Sequence, residues 1–375
     1  MSDKNNQEFV DINSKTEISS NLVKKSKKKL IIIKVICCVL SLIFLVCGVL
    51  SVGYYATINK FQFKDINKPQ TSQKPASGGT STDPTDPDML IIDNEGGNLL
   101  SDPYILNIML FGADQYGDQG LSDTMILLSI DNRHEKIKMT SFLRDTYISI
   151  PGYYSSKLNA AYALGGAELS IATIESNYGV QIDRYAIVNF ETFKSIVDIM
   201  GGVDVELTQE EIWYINDQIA QNGQTEYLPY DTQPGMVNLN GQQALWYARN
   251  RGGYINGTEY GGSDWDRVER QRNFLNAVID ELRSASLTEI VQIVNAVGPN
   301  ITTNLKNSEI TTLVSGAITY LSYDIEQLSV PTEGTWGYGY NEAGSVILVN
   351  DWYKARYDLA KFIYEDSVAD SYSYY

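Results

Sequence analysis

The fold is decided by the stretch Ile105-Leu106-Asn107-Ile108-Met109-Leu110-Phe111 and by two apolar runs that follow it along the chain. The second run is Thr124-Met125-Ile126-Leu127-Leu128-Ser129-Ile130, and the third extends from Ile137 to Leu143. Their length and apolar content are typical of buried β-strands. Gly112 ends the first run and a polar turn separates the last two. The spacing therefore predicts three consecutive strands in an antiparallel meander.

Charged residues stand at the ends of these predicted strands. Asp114 follows the first strand, Asp123 precedes the second and Arg144 follows the third. In an antiparallel meander these three positions lie at the same sheet edge. Clustered carboxylates repel each other unless a cation neutralises them, and a hard cation prefers oxygen ligands. The alternative is that the two aspartates are turn residues and the arginine forms a surface ion pair.

The rest of the globular region alternates irregularly between helical and extended patterns. Apolar positions repeat at helical spacing in residues 193–200 and 267–282, and short strands are predicted at Gln327–Val330 and Val346–Val349. This alternation predicts an α/β fold with a mixed, largely antiparallel central sheet flanked by helices.

Composition excludes several classes of protein. The 375-residue chain has a formal net charge of −17, whereas a nucleic-acid-binding protein needs a basic face. Its three cysteines all lie between residues 37 and 47 in an apolar run. The single histidine, His134, lies in a polar stretch that predicts an exposed turn. Any chemistry is therefore expected to depend on carboxylates, arginines and a bound hard cation.

The amino-terminal part predicts a membrane anchor. Five lysines between residues 24 and 29 precede an apolar segment whose central part, Val35–Gly53, has no charged residue. A run of this length nearly crosses a hydrocarbon core of about 30 Å, and the preceding lysines place the amino terminus in the cytoplasm. The predicted regions are a basic tail at 1–29, a transmembrane anchor at 30–58, a flexible extracellular stalk at 59–103, a globular domain at 104–365 and a loose tail at 366–375.

A second cluster of polar residues contains arginines in a chain that has few positive charges. Arg249 and Arg251 lie two residues apart. If a helix begins near Asp264, then Asp264, Arg267 and Gln271 lie on one of its faces. Planar guanidinium groups suit phosphate oxygens. The alternative is a solvated helix face with ordinary ion pairs.

Nine short motifs follow one another between about Tyr104 and Arg283. They are Asn107-Ile108-Met109-Leu110-Phe111-Gly112-Ala113-Asp114, Ser122-Asp123-Thr124, Arg144-Asp145-Thr146-Tyr147, Lys157-Leu158-Asn159-Ala160-Ala161-Tyr162, Val188-Asn189-Phe190, Gly201-Gly202-Val203, Gly241-Gln242-Gln243-Ala244-Leu245, Tyr247-Ala248-Arg249-Asn250-Arg251 and Asp264-x-x-Arg267-x-x-Arg270-Gln271. Each motif is weak alone, but nine in the same order are specific. Their order resembles that of LytR-CpsA-Psr proteins.

The resemblance implies a phosphotransferase that moves a glycopolymer from a polyprenyl-pyrophosphate carrier to a sugar hydroxyl of peptidoglycan. It implies Asp114 and Asp123 as ligands of Mg²⁺, with Mn²⁺ as an alternative. Its implied catalytic residues are Arg144, Asp123 and Asp264, and either aspartate could be the general base. The implied pyrophosphate-binding arginines are Arg144, Arg249, Arg251 and Arg267, oriented by Asp264 and Gln271.

The chain also departs from the family pattern. Many relatives have arginines where this chain has Gln115 and Leu121, and many have histidine where it has Ala160. Lys157 is a candidate substitute for the missing phosphate contacts. Two other functions stay open: a lipid-pyrophosphate hydrolase, and a non-catalytic membrane-bound protein that binds the wall or regulates. The helices at Phe193–Met200 and Phe274–Leu282 are expected either to line a lipid slot or to be ordinary core.

Overall fold

A computed structural model describes residues 62–64, 99–113, 120, 122–255, 258–260 and 264–365. The predicted cytoplasmic tail, transmembrane anchor and carboxy-terminal tail lie outside these residues, and so do Asp114, Gln115 and Leu121. Within the described part, no helix is both long and apolar enough to cross a membrane.

The described strands form one large sheet and four two-stranded sheets. The strands are β1 Gln62–Phe63, β2 Ile105–Ala113, β3 Ser122–Asp131, β4 Lys136–Phe142, β5 Tyr147–Ile148, β6 Ser156–Lys157, β7 Arg184–Asn189, β8 Val203–Leu207, β9 Gly235–Leu239, β10 Gly253–Ile255, β11 Thr258–Tyr260, β12 Thr302–Thr303, β13 Asp324–Val330, β14 Trp336–Asn341 and β15 Gly344–Val349. The large sheet has the order β1-β12-β7-β2-β3-β4-β13.

The meander predicted from the sequence is confirmed, because β3 pairs antiparallel with both β2 and β4. The sheet as a whole is mixed, but the expectation that it is largely antiparallel is wrong. The pairs β1–β12, β2–β7 and β4–β13 are parallel, so half of the six pairings in the described sheet are parallel. Parallel neighbours need a crossover connection. The connections from β2 to β7 and from β4 to β13 contain both strands and helices.

Nine α-helices and one 3₁₀-helix are described outside the sheet. The α-helices are α1 Leu158–Tyr178, α2 Phe190–Ile199, α3 Gln209–Gln221, α4 Gly241–Arg249, α5 Asp264–Ser284, α6 Leu287–Val297, α7 Asn307–Ser315, α8 Ala317–Leu321 and α9 Trp352–Tyr364. The 3₁₀-helix is Gly298–Asn300.

Alternate side chains of the sheet enter two cores on its opposite faces. Met109 and Phe111 of β2 pack in a buried cluster with residues of α1 and α9. Ile108 and Leu110 pack on the other side, in a cluster that contains Leu275 of α5. This division follows from the two-residue period of a β-strand. The sheet is thus covered by helices on both faces, as the sequence predicts.

A third core joins α2, α3 and α4 to the β8–β9 hairpin. Val197 and Phe274 are buried in it, and the Phe193 and Phe274 rings lie 4.9 Å apart between centroids. These residues belong to the helices expected either to line a lipid slot or to be core. Their burial among apolar neighbours favours ordinary core.

Two short stretches within the predicted stalk pair with the folded domain. Gln62 and Phe63 form edge strand β1, in parallel register with Thr302 and Thr303. Leu100 makes a parallel bridge to Val180. Apart from Lys64, the rest of the predicted stalk before residue 99 lies outside the described residues, so the stalk stays a prediction.

Candidate active site

Three arginines from different parts of the chain surround the carboxylate of Asp123, near the start of β3. Arg144 Nη1 donates a hydrogen bond of 2.6 Å to Asp123 Oδ1. Arg251 Nη2 donates one of 2.9 Å to Asp123 Oδ2. Arg267 Nη1 lies 3.7 Å from the same Oδ2. One carboxylate therefore holds three guanidinium groups together.

The sheet register explains why Asp123 and Arg144 meet. The start of β3 lies beside the end of β4 because the two strands are antiparallel, and Arg144 follows the end of β4 by two residues. This is the sheet edge that the sequence predicts for them. Ala113, at the end of β2, pairs with Ser122 at this edge. Asp114, the next residue, lies outside the described residues.

The other two arginines come from the helices that follow. An Asn240–Gln243 capping box begins α4, which ends at Arg249 and leads into Arg251. Arg267 is on the first turn of α5, and its side chain is only 2% exposed. Asp264 begins α5, as the sequence predicts, but its side chain lies outside the described residues. The structure thus brings the described members of both predicted clusters to one place.

The arginines keep Asp123 ionised. Burial by itself would raise the pKa of this carboxyl, but the charge and hydrogen bond of Arg144, with the charges of Arg267 and Arg251, outweigh it. The pKa of Asp123 is therefore below its ordinary value. A carboxylate with such a low pKa is a weak proton acceptor at neutral pH, which disfavours Asp123 as general base.

A cavity of about 290 Å³ opens beside this cluster. Its described lining combines cationic, aromatic and neutral polar side chains: Gly112, Asp123, Thr124, Phe190, Tyr214, Gln218, Trp246, Arg249, Arg251, Arg267 and Gln271. Three of these residues are arginines and one is an aspartate, so the lining has a net positive charge. Such a cavity favours an anionic ligand.

Aromatic rings position Arg249 in the cavity wall. Its guanidinium carbon lies 4.6 Å from the Phe190 ring centroid and 5.1 Å from that of Trp246. Cation–π contacts of this kind hold a guanidinium without using its N–H donors. Burial raises the pKa of the nearby Tyr214 hydroxyl although Arg249 and Arg251 oppose the shift, so this hydroxyl keeps its proton and can donate a hydrogen bond.

Two of the predicted pyrophosphate-binding residues have different surroundings from those expected. Gln271 lines the cavity, but its Nε2 donates to the Ala248 carbonyl at 3.4 Å and so contacts the backbone just before Arg249. Lys157 forms a 2.9 Å ion pair with Asp145, whose other oxygen lies 3.4 Å from Arg144 Nε. Lys157 is therefore joined to Arg144 through Asp145 and is not part of the described cavity lining.

An ion pair behind the cavity was not predicted as part of the site. Arg270 Nε donates to Glu211 Oε1 at 2.7 Å, and Arg270 Nη1 donates to the Asn250 carbonyl at 3.1 Å. The pair thereby ties α3 and α5 to the segment that carries Arg251. Glu211 also closes a capping box with Thr208, so its sequence pattern indicates only a local role.

The described residues offer one carboxylate to a cation at the cavity, that of Asp123. Mg²⁺ in phosphate-transferring sites is often held by one or two carboxylates together with substrate phosphates, so an ionised Asp123 fits this ion. A different group of possible ligands, Asp131, His134 and Glu365, lies at the other end of β3. Lys138 Nζ lies 3.1 Å from Asp131 and 3.0 Å from Glu365, so these two carboxylates already form ion pairs, as Asp123 does with its arginines.

The arginine-lined cavity of this mixed α/β domain, beside an ionised aspartate, is suited to a phosphate-like anion. The chain belongs to the LytR_cpsA_psr family, whose sequence profile matches residues 65–353. This finding confirms the resemblance described above.

Three relatives illustrate the family. The chain is 34% identical over 266 residues to a polyisoprenyl-teichoic acid–peptidoglycan teichoic acid transferase, TagU, of Oceanobacillus iheyensis, covering 68% of this chain and 76% of that protein. A crystal structure of Bacillus subtilis TagV is 26% identical, with a TM-score of 0.53, and covers 70% of this chain and 98% of that one. The LytR-CPS2A-psr family protein YwtF (TagT), with bound octaprenyl pyrophosphate lipid, is 23% identical with a TM-score of 0.53; the match covers 70% of this chain and 93% of that one.

Proposed function

We propose that this protein transfers a glycopolymer from a polyprenyl-pyrophosphate carrier to a sugar hydroxyl of peptidoglycan and forms a phosphodiester. The convergence of Arg144, Arg251 and Arg267 on Asp123 carries the proposal, because a pyrophosphate needs several cationic donors in one place. The teichoic acid transferase TagU and the lipid-bound TagT agree with this substrate class.

The proposed reaction breaks one phosphorus–oxygen bond and forms another. The acceptor hydroxyl oxygen attacks the sugar-linked phosphorus, and the bond from that phosphorus to the bridging oxygen breaks. The lipid leaves as polyprenyl monophosphate, and the hydroxyl proton passes to a base. Arg249, Arg251 and Arg267 would hold the pyrophosphate oxygens and neutralise their charge, which is the main catalytic requirement of phosphoryl transfer.

The residues proposed as base are Asp123 and Asp264. Because its contacts with arginines lower the pKa of Asp123, this residue suits charge positioning better than proton transfer. Asp264 is therefore the base we propose. Tyr214, kept protonated by burial, could donate to a phosphate oxygen in the cavity.

We further propose that the enzyme uses Mg²⁺, with Mn²⁺ as an alternative, held by Asp123 and Asp114. A bound ion of this kind would neutralise developing negative charge on the phosphate oxygens. The ionised state of Asp123 and its place in the cavity lining support this assignment.

The location proposed for the protein follows from its sequence. The apolar segment at residues 30–58 would anchor the chain in the membrane, with residues 1–29 in the cytoplasm. The catalytic domain would then act outside the membrane, where peptidoglycan is assembled.

The reaction is tested with the full-length chain in detergent micelles. A polyprenyl-pyrophosphoryl oligosaccharide, uncrosslinked peptidoglycan oligomers and Mg²⁺ are incubated with it, and mass spectrometry detects a sugar–phosphate–peptidoglycan adduct. The adduct should disappear with a chelator, return with added Mg²⁺ and fall by at least about 100-fold in Arg267→Met. Arg133→Met, which removes a half-exposed arginine at the opposite end of β3, is the matched control and should keep full activity.

Two outcomes would contradict the transferase. Lipid phosphate released without any adduct would identify a hydrolase, since water would then be the acceptor. Tight binding of the lipid carrier without turnover would identify a binding protein, for which the departures at Gln115 and Leu121 would be the first residues to examine.

A further inference from the structure

A hairpin with an unusual row of aromatic residues stands beside the candidate site. Its first strand, β14, alternates Trp336, Tyr338 and Tyr340 with Gly337 and Gly339. Since alternate residues of a strand share a face, the three aromatic side chains lie on one face of the hairpin. We call these three residues the aromatic shelf. Tyr338 is 67% exposed and Tyr340 86% exposed, whereas Trp336 is only partly exposed.

The pairing of the hairpin shows which way the aromatic shelf faces. Tyr338 lies opposite Ile347 in the antiparallel register, so the two side chains share a face. Ile347 is 2% exposed and packs with Leu143, Val268 and the Trp336 ring. The shelf therefore lies on the same face of the hairpin as the buried Ile347, and its side chains become more exposed from Trp336 to Tyr340.

The same contacts connect the aromatic shelf to the arginine cluster. Leu143 immediately precedes Arg144, and Val268 immediately follows Arg267. The Ile347 N–H donates to the Asp145 carbonyl at 2.9 Å, which fixes β15 to the residue after Arg144. The hairpin is thus attached directly to the two segments that position Arg144 and Arg267.

We propose that the aromatic shelf binds the neutral, N-acetylated glycan strand of the peptidoglycan acceptor. This inference rests on the proposed transferase function and names the surface that its second substrate uses. Sugar rings present C–H faces that pack against aromatic rings, while their hydroxyl and amide groups bond to a polar tip such as the tyrosine hydroxyl. The intervening glycines lie on the opposite face of β14, where a Cβ at Gly339 would overlap the Leu348 side chain.

Charge distinguishes this acceptor from the other possible occupants. Residues 336–349 contain no lysine or arginine and one acidic residue, Glu342. An anionic polymer or an anionic membrane surface would need basic groups there. The arginines instead line the cavity, whose described lining includes no residue of the hairpin.

The direction of attack also favours the acceptor. In phosphoryl transfer the entering and leaving oxygens lie roughly in line, on opposite sides of the phosphorus. With the lipid phosphate held in the cavity, the acceptor has to approach from outside it. The hairpin adjoins the site through Leu143 and Asp145, which flank Arg144, a residue outside the described cavity lining.

The test compares substrate dependences in the full-length chain in detergent micelles. The variant Tyr338→Ala/Tyr340→Ala should raise KM for uncrosslinked peptidoglycan oligomers roughly tenfold, the size expected from losing stacked aromatic contacts. KM for the lipid-linked donor should stay unchanged. Tyr104→Ala, which removes a 56% exposed tyrosine at the far end of β2, is the matched control and should leave both values unchanged.

A second measurement locates binding without turnover. Hydrogen–deuterium exchange should show protection of residues 336–349 when a β-1,4-linked N-acetylglucosamine tetrasaccharide is added, and none in the double variant. Protection that appears instead on moving the chain from micelles into anionic nanodiscs, without sugar, would overturn the proposal in favour of a membrane contact.

The outcomes separate this inference from the proposed function. If the double variant forms the adduct with an unchanged KM for the acceptor, the aromatic shelf does not bind the acceptor glycan. The proposed transferase function would be unaffected by that result. A rise in donor KM alone would assign the shelf to the donor glycan and also refute the proposal. If the wild-type chain makes no adduct, the transferase fails, and the exchange measurement with the tetrasaccharide still decides whether the shelf binds a glycan.

Discussion

The Arg270–Glu211 ion pair offers a quantitative test of how the cavity is supported. Both side chains are largely buried, at 13% and 10% exposure. In the variant Arg270→Met, the apolar stem is kept while the charge and both hydrogen bonds are lost, one to Glu211 and one to the Asn250 carbonyl. The change therefore isolates the polar part of the interaction.

The expected loss of stability follows from the carboxylate that remains. Removing one partner of a buried ion pair costs about 3–5 kcal/mol, because the other charge stays buried without compensation. Glu211 keeps the hydrogen bond that its Oε2 accepts from Thr208 N at 2.9 Å, so the lower end, about 3 kcal/mol, is expected. For a domain of this size, that corresponds to a fall in Tm of about 6–12 °C.

The variant should also weaken ligand binding, since Asn250 directly precedes Arg251. Releasing this segment lets Arg251 move away from Asp123, so affinity for a short-chain polyprenyl pyrophosphate should fall roughly tenfold, the equivalent of about 1.4 kcal/mol. Calorimetric unfolding and isothermal titration on the full-length chain measure the two effects. Lys354→Met removes an exposed ion pair and is the control, with an expected change below about 0.5 kcal/mol.

A second variant makes the reasoning refutable. Glu211→Gln/Arg270→Met removes both charges, so it should recover part of the stability that the single variant loses. If Arg270→Met costs less than about 1 kcal/mol, or if the double variant is as unstable as the single one, the pair does not support the cavity as a buried ion pair.

Three further predictions concern charge and packing. In a carbon-13 NMR titration, the Asp123 carboxyl should have a pKa below its ordinary value. Its pairing with arginine therefore stabilises the fold fully at pH values above the ordinary pKa that Asp123 has in the unfolded chain. This stabilisation is lost as pH falls through the lower pKa that Asp123 has in the folded chain. In Arg144→Ala the midpoint should rise, and an unchanged midpoint would show that Arg144 is not the main cause. Phe274→Ala should cost about 3–5 kcal/mol in denaturant unfolding because this ring is 4% exposed and packed on apolar neighbours; a loss below about 1 kcal/mol would favour an open slot instead. Gly241→Ala should cost about 1–3 kcal/mol by the same measurement, because a Cβ there overlaps the Lys194 backbone where α4 meets α2, and a neutral effect would mean that the two helices separate easily.

The sheet and the helices that follow it together hold the charged groups of the cavity in place. The β3–β4 register places Asp123 beside Arg144. Arg249 ends α4, Arg251 follows two residues later and Arg267 is on α5, and both helices contribute to the third core. Phe190 and Trp246 belong to this packed region and hold Arg249 by its ring contacts. The cationic groups are thus fixed before a ligand arrives, which lowers the reorganisation needed on binding.

The family and the outline of the site could be predicted because they depend on local pattern. The length and apolar content of three runs identify β2, β3 and β4, and the antiparallel turn between β3 and β4 then places Asp123 beside Arg144. Helical spacing likewise places Arg267 and Gln271 on one helix beside the cavity. These inferences need only the direction of each side chain along its own element.

Other features of the site could not be predicted, because they need partners far apart in the chain. The sequence gives no sign that Arg270 meets Glu211, 59 residues away, or that Lys157 pairs with Asp145 and lies outside the described cavity lining. The alternation of glycine with aromatic residues in β14 also hides a strand, since glycine lowers strand propensity.

The sequence by itself determined where the apolar runs and the helical patterns begin and end. From these follow the meander, the family motifs and the arginine-rich site. Only the tertiary structure decided the parallel half of the sheet, the Glu211–Arg270 support and the position of the aromatic shelf beside Arg144 and Arg267. The physical reason is that a period of two or 3.6 residues fixes the direction of each side chain locally. Which distant segment that side chain meets depends on how the elements pack together to bury their apolar faces.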